Sequence, residues 1–192
     1  LLGFAWFTNQ GAAFGDTTLA ANHILLQLIS FSAFFLDAFA YVAESFVGRA
    51  IGAARRDLFV HAVRRTSELA FVTAAGLALT VALGGGLVIR ALTDSADVRA
   101  AAQAFLPWCA TYVLVSVAAF QLDGVFIGAT ATRDMRNAAL VSAGTFIAGG
   151  TLLVRQFQNH GLWLAFVGYV VVRALTLLVR YPAVRRRAAP AS

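Results

Sequence analysis

The sequence predicts an all-α fold, a polytopic bundle of membrane-spanning helices, and three observations support this prediction. Hydrophobic residues make up 60% of the 192-residue chain. Charged residues make up 12%, which is about half the share found in soluble domains. The apolar residues also run in stretches long enough to cross a bilayer, which takes about 20 residues of helix. Together these features place the chain among integral membrane proteins that lie in a lipid bilayer.

Six apolar segments divide residues 1–181, and the first of them is a truncated helix. A short turn follows, in which Asp16 or Thr17 can cap the next helix. Because the chain begins inside an apolar segment and without Met, we expect a fragment that lacks an N-terminal portion. The predicted spans are 1–13, 18–47, 66–91, 101–129, 136–155 and 161–181, and residues 182–192 form a cytoplasmic basic tail.

The distribution of arginine predicts the orientation of these spans. The connections after spans two and four and the tail lie on one side of the membrane if the spans alternate. This side carries eleven arginines and the opposite side carries Arg90, Arg99 and Arg155, so we expect the arginine-rich side and the C-terminus to be cytoplasmic. Trp6, Trp108 and Trp163 fall toward the other side, as in an interfacial aromatic belt. The eleven are Arg49, Arg55, Arg56, Arg64, Arg65, Arg133, Arg136, Arg180, Arg185, Arg186 and Arg187.

Two readings remain open for residues 49–65, which are rich in arginine and contain several apolar residues. The first is a loop followed by an amphipathic helix that lies in the membrane surface, with its arginines at the lipid phosphates. The second is an extension of span three into the cytoplasm. The sequence favours neither of them.

Several functional classes are excluded or disfavoured. The net charge of +6 comes from arginines placed between apolar spans, which is a topological pattern and not one of nucleic-acid binding. Cys109 is the single cysteine, and the chain contains no metal-ligand spacing and no nucleophile motif. We therefore expect no enzyme, no metal, no cofactor other than a coupling ion, and no nucleic-acid partner.

Span two carries a polar stripe along one face of the predicted helix. Asp37 and Glu44 are acids within an apolar run, where a charged group costs roughly 2.5–3.5 kcal/mol at the bilayer centre. Such a stripe is expected to face a protein interior or a wet cavity, and we expect the opposite apolar face to contact lipid. The stripe consists of Gln27, Ser30, Phe34, Asp37, Tyr41, Glu44 and Gly48, at alternating spacings of three and four residues.

Each acid of this stripe has a functional and a structural reading. Asp37 lies nearer the middle of the membrane, where desolvation favours a neutral carboxyl group that can exchange protons. Glu44 lies closer to the cytoplasmic end. Phe34 and Tyr41 could stack on a cationic ligand. In the structural reading, each acid is held by a hydrogen bond between helices or by an arginine.

Span four contains a second group of polar residues, in the segment QLDGVFIG. Gly124 and Gly128 form a GxxxG pair that allows another helix backbone to approach closely. Asp123 is either functional or a partner for an arginine. Arg173 lies well inside span six, where it either extends toward the cytoplasmic interface or pairs with an internal acid such as Asp123.

Two segments, LDAFAYVAESFVGRAIGAARRD (36–57) and QLDGVFIGATATRDMRNA (121–138), resemble the MATE (multidrug and toxic compound extrusion) transporters, in particular their DinF-like branch. The resemblance implies the six-helix C-terminal lobe of a twelve-helix transporter in the cell inner membrane. It implies an antiporter that exports amphipathic or cationic organic compounds as protons or sodium ions move inward. It carries a functional role onto Asp37, Glu44 and Asp123. Because this branch is thought to place a coupling acid in the N-terminal lobe, we expect that lobe to be a required partner.

Two alternatives are retained beside the antiporter. A flippase for a lipid-linked carrier would need a wide cationic cavity, and arginines inside the spans are nearly absent. The third candidate is a non-transporting membrane protein, such as an assembly subunit.

Overall fold

The computed structural model describes residues 2–188 and is all-helical within that range. Four of its helices are long and apolar enough to cross a membrane, namely α2 to α5. The helices are α1 (Leu2–Ala12), α2 (Asp16–Gly52), α3 (Arg56–Leu92), α4 (Ala96–Gly128) and α5 (Thr132–Arg186).

The count of five helices differs from the six predicted spans because α5 covers the last two of them. Its one residue with non-helical backbone angles is Gln158, with φ 49° and ψ −129°. At this residue the chain reverses, so that Gly161 packs on the backbone of Leu153. Phe146 and Tyr169 are in ring contact farther from the bend. The two parts of α5 are therefore antiparallel, and a single residue replaces the loop that the sequence analysis placed between them.

Several helices extend beyond the predicted spans. The structure agrees with the second reading of residues 49–65, because α3 begins at Arg56 and continues without a break to Leu92. At the other end of the chain, α5 continues to Arg186, and the side chains of Val184 and Ala188 are fully buried. The first part of the predicted basic tail is thus packed against the bundle, whereas residues 189–192, like Leu1, lie outside the described residues.

The closest helix contact is between α2 and α4, which run in the same direction. A side chain at Gly124 would overlap the backbone of Ala40, and one at Gly128 would overlap the backbone of Glu44. The GxxxG pair therefore brings the two backbones into direct contact, as small residues do in membrane helix pairs.

The face of α2 that packs inside the bundle is the apolar face that the sequence analysis assigned to lipid. The physical reason for this error is that packing against another helix and contact with acyl chains both favour aliphatic side chains. The members of the packed face are all buried: Leu25, Ile29, Leu36, Ala40, Ala43 and Val47.

The connections α2–α3 and α4–α5 have the same geometry. In the first, Ala54 has a left-handed φ of 51°, and the amide of Arg55 donates to the carbonyl of Ala50. In the second, Thr130 has φ 52°, and the amide of Ala131 donates to the carbonyl of Phe126. These bonds define a Schellman motif, which satisfies carbonyl groups at a helix C-terminus. Both turns lie at the end of the bundle that carries most of the arginines.

Candidate functional site

The candidate site is a cavity of about 270 Å³ between α1, α2 and α4, with Asp37 in its wall. The side chain of Asp37 is half-buried and lies roughly 22 Å from the C-terminal end of α2, given a rise of about 1.5 Å per residue. It therefore lies deep within an apolar helix but beside open space. Phe4, Ser30, Phe34, Tyr112, Ser116 and Phe120 also line the cavity.

Asp37 has no salt bridge to any residue in the range 2–188. The hydroxyl groups of the cavity wall belong to Ser30, Ser32, Tyr112 and Ser116, and the rest of the lining is largely apolar. An ionised carboxylate in such a place lacks a compensating charge, so binding of a proton or a cation would be favourable.

Asp123 has a different environment because Arg173 contacts it with two hydrogen bonds. The Nε of Arg173 donates to Oδ2 over 2.9 Å, and its Nη2 donates to Oδ1 over 2.8 Å. The side chains of Arg173 and Asp123 are 16% and 26% exposed. A bidentate pair of this kind is strong and fixed in geometry, so the negative charge of Asp123 is already compensated.

The two acids lie at similar depth although they differ in their partners. Gly124 packs opposite Ala40, and the parallel helices α2 and α4 keep this register. Asp37 and Asp123 are thus separated by less than about one helical turn along the bundle axis. The structure places one free acid and one paired acid at the same level.

The other stripe residues stay on one face of α2, but four of them lie outside the Asp37 cavity, namely Gln27, Tyr41, Glu44 and Gly48. Phe34 and Tyr41 are 75% and 69% exposed, which makes them the prominent aromatic residues of this face. Gln27 is exposed and lines a separate groove between α2 and α3. Glu44 is half-buried, and its backbone packs on Gly128. Of the predicted stripe, the cavity therefore contains Ser30, Phe34 and Asp37.

A buried cluster that sequence reasoning missed links α2 and α5. The amide groups of Asn22 and Asn159 donate to each other over 2.7 and 3.0 Å, and the indole of Trp163 also donates to Asn22, over 3.0 Å. Trp163 is fully buried, so it does not belong to an interfacial belt. The available signals were an asparagine within the second predicted span and another in the connection at 156–160.

No three His, Cys, Asp or Glu side chains between residues 2 and 188 are close enough together to hold a metal ion. The candidate site therefore consists of individual acidic residues and an open cavity.

Comparison with known proteins identifies the family, because residues 6–152 match the MatE family. The chain belongs to the MatE family. Members of this family are transporters, not enzymes, and the predicted resemblance is confirmed. The chain is similar to the DNA damage-inducible protein F of Escherichia coli (strain K12), with 34% identity over 174 residues.

The fold agrees with this assignment. The crystal structure of the eukaryotic MATE transporter AtDTX14 superimposes with a TM-score of 0.79, at 19% sequence identity and over 88% of this chain. The alignment to the Escherichia coli protein covers 91% of this chain. In both comparisons the chain spans about two fifths of the relative's length, 38% and 39% respectively.

Proposed function

We propose that this MatE-family chain is the C-terminal half of a secondary antiporter that exports amphipathic or cationic organic compounds. The coupling ion is a proton or a sodium ion moving inward. The observation that carries the proposal is the contrast between two acids. Asp37 lies beside a cavity and has no salt bridge within residues 2–188, whereas Asp123 is paired with Arg173.

In this proposal Asp37 is the coupling residue, because its carboxylate can be neutralised without breaking a salt bridge within residues 2–188. A proton or cation that binds there neutralises a charge in a low-dielectric region and so favours a closed, less hydrated cavity. Asp123 serves a positioning role, since its charge is compensated by Arg173 in either state. Glu44 has no salt bridge among residues 2–188, but it lies closer to the end of α2 and is the weaker candidate.

The exposed face of α2 is proposed to meet the lobe that the family relatives contain beyond this chain. This chain spans 38% of the Escherichia coli relative, so most of such a protein is additional sequence. A second lobe placed against Phe34 and Tyr41 would enclose these exposed rings and the polar groups of the stripe. Alternating access would then move this face between the two sides of the membrane.

The proposed topology has six spans, of which the first is truncated. The reversal at Gln158 divides α5 into two antiparallel parts, so these parts and α2 to α4 make five crossings, and the 11-residue α1 is the shortened sixth span. The eleven arginines on one side support a cytoplasmic C-terminus. The inner membrane is the proposed location of the lobe.

The proposed substrates are amphipathic compounds with a positive charge. Exposed aromatic rings attract cations through their negative faces, and Phe34 lies next to the carboxylate of Asp37 in the cavity wall. Lipid flipping is the less favoured function, because a carrier with phosphates needs free basic groups. Arg173, the basic residue well inside the helices, is engaged by Asp123.

The test uses the full-length protein that contains this chain, reconstituted in vesicles, with ethidium as the transported probe. Asp37→Asn should lower proton- or sodium-driven ethidium efflux by at least about tenfold while protein amount and melting temperature stay unchanged. Asp16→Asn is the matched control, because Asp16 is an exposed acid in the first turn of the same helix. Normal efflux by the Asp37 variant would remove this residue from the coupling mechanism.

Comparing the two gradients in the same vesicles identifies the coupling ion. Ethidium movement driven by a proton gradient alone selects protons, and movement driven by a sodium gradient alone selects sodium. If the wild-type protein ignores both gradients, antiport is the wrong function, and the flippase and assembly-subunit alternatives are then tested.

A further inference from the structure

Gln121 has a buried polar atom that no protein group satisfies within the described residues. Its side chain is 4% exposed, and its Nε2 donates to the hydroxyl oxygen of Thr66. That hydroxyl donates in turn to the carbonyl of Ala62 over 2.9 Å. Among residues 2–188, no donor reaches Oε1 of Gln121. A buried acceptor of this kind normally has a partner, from the protein, from water or from a ligand.

The same side chain forms part of the wall of a groove of about 440 Å³ between α3, α4 and the last part of α5. The groove lies on a different face of α4 from the Asp37 cavity, since none of its lining residues is shared with that cavity. It is therefore separate from the proposed transport pathway.

The walls of the groove are largely apolar, with Ser67, Gln121 and Tyr181 as the polar residues, and its rim is exposed. Phe71 is 48% exposed, Leu175 is 56% exposed and Leu178 is 54% exposed. These residues lie within helices that are long and apolar enough to cross a membrane. A molecule that enters the groove therefore comes from the lipid phase.

The lining also selects against charged head groups. No acid and no arginine lines the groove in the described part of the chain. An ionised group would lose its hydration there without gaining an opposite charge, whereas a neutral hydroxyl group loses much less and can donate to an acceptor.

We propose that this groove binds a neutral lipid with a free hydroxyl group, which donates a hydrogen bond to Oε1 of Gln121 while its hydrocarbon chain fills the apolar walls. The site is independent of the antiport proposed above. It is an accessory lipid site on the membrane-facing side of the lobe.

The experiment labels the full-length protein in phosphatidylcholine vesicles with a diazirine-bearing hexadecanol and maps the adducts by mass spectrometry. Adducts should appear on the rim residues Phe71 and Leu175. Unlabelled hexadecanol should displace the probe at an at least about tenfold lower concentration than hexadecyl methyl ether, which has the same chain but cannot donate. Gln121→Leu should abolish this difference between the two competitors.

Variants of the rim make the test independent of the fold around Gln121. Leu175→Trp fills the mouth of the groove and should lower labelling at least about fivefold, because exclusion depends on shape alone. Leu140→Trp is the matched control, since Leu140 is 66% exposed and lies outside the groove. Three results would each overturn the site: no adducts in the groove, equal competition by alcohol and ether, or unchanged labelling of Leu175→Trp. Equal competition by the alcohol and the ether is the result expected if Oε1 binds only water.

Discussion

Arg173 donates two hydrogen bonds to Asp123 and so joins the last part of α5 to α4. Removing either partner leaves a charge in a largely buried place. Arg173→Met should therefore lower the free energy of unfolding by about 3–5 kcal/mol, and Asp123→Leu with Arg173→Met should recover most of this loss. Chemical denaturation of the full-length protein in detergent measures both effects.

The pair between Arg64 and Glu68 is the matched control for this cycle. Its N–O distance is also 2.8 Å, but the side chains of Arg64 and Glu68 are 75% and 44% exposed. Arg64→Met should therefore cost far less stability than Arg173→Met. If the Asp123 and Arg173 substitutions prove additive, the two residues do not interact in the folded protein.

Asn22 accepts hydrogen bonds from Asn159 and Trp163 and donates one to Asn159. Asn22→Leu leaves buried donors without partners, and we expect a loss of about 1–3 kcal/mol in the free energy of unfolding. Asn137→Leu, at an exposed position outside this cluster, should change the stability by less than about 0.5 kcal/mol. Equal effects of the two substitutions would contradict the role of the cluster.

Gly124 has no room for a side chain, because its α-carbon faces the backbone of Ala40. Gly124→Ala should separate α2 from α4 and destabilise the protein by about 1–3 kcal/mol. Gly144→Ala is the control, since nothing lies within 4 Å of a side chain there. That change should raise stability by about 0.5–1 kcal/mol through helix propensity. A change of stability in the same direction in Gly124→Ala and Gly144→Ala would argue against the close contact between α2 and α4.

Gln158 has a positive φ of 49°, a backbone conformation that favours glycine. Gln158→Gly should therefore raise the free energy of unfolding by about 1 kcal/mol. Gln156→Gly, two residues earlier at an exposed helical position, should lower it by about 0.5–1 kcal/mol. Thermal unfolding of both variants in detergent gives the comparison, and a loss of stability in Gln158→Gly would mean that no strain is relieved at the bend.

The membrane character and the family were predictable because they depend on features that are continuous along the chain. Apolar length, scarcity of charge and the two motifs require no knowledge of contacts. The span boundaries were less predictable, because a helix can continue into water once its first turns are formed. This is why α3 begins at Arg56, ten residues before the predicted start of its span at 66.

Which face of α2 packs inside the bundle could not be decided from the sequence. Its apolar face packs against α4, while Phe34 and Tyr41 stay exposed. The periodicity located the polar stripe correctly on one face. It could not distinguish an aliphatic side chain that touches lipid from one that touches another helix.

Contacts between distant segments were the least accessible to prediction. Asn22 and Asn159 are 137 residues apart, the first within a predicted span and the second in the predicted connection at 156–160. Their meeting depends on the reversal at Gln158, which occupies one residue and has no glycine or proline at the bend itself. The polar residues at 156–160 predict a connection here, but they do not predict that a single residue makes the reversal or that it brings the two asparagines together.

The matching turns after α2 and α4 have a mechanical consequence. Each joins two long helices through three residues, 53–55 and 129–131, that are fixed by backbone hydrogen bonds. Neither connection is long enough to flex, so the two helices that it joins should move as one rigid body. A rocking motion of this lobe would then bend the chain at the opposite end of the bundle. Making residues 53–55 and 129–131 still more rigid should leave that motion unchanged.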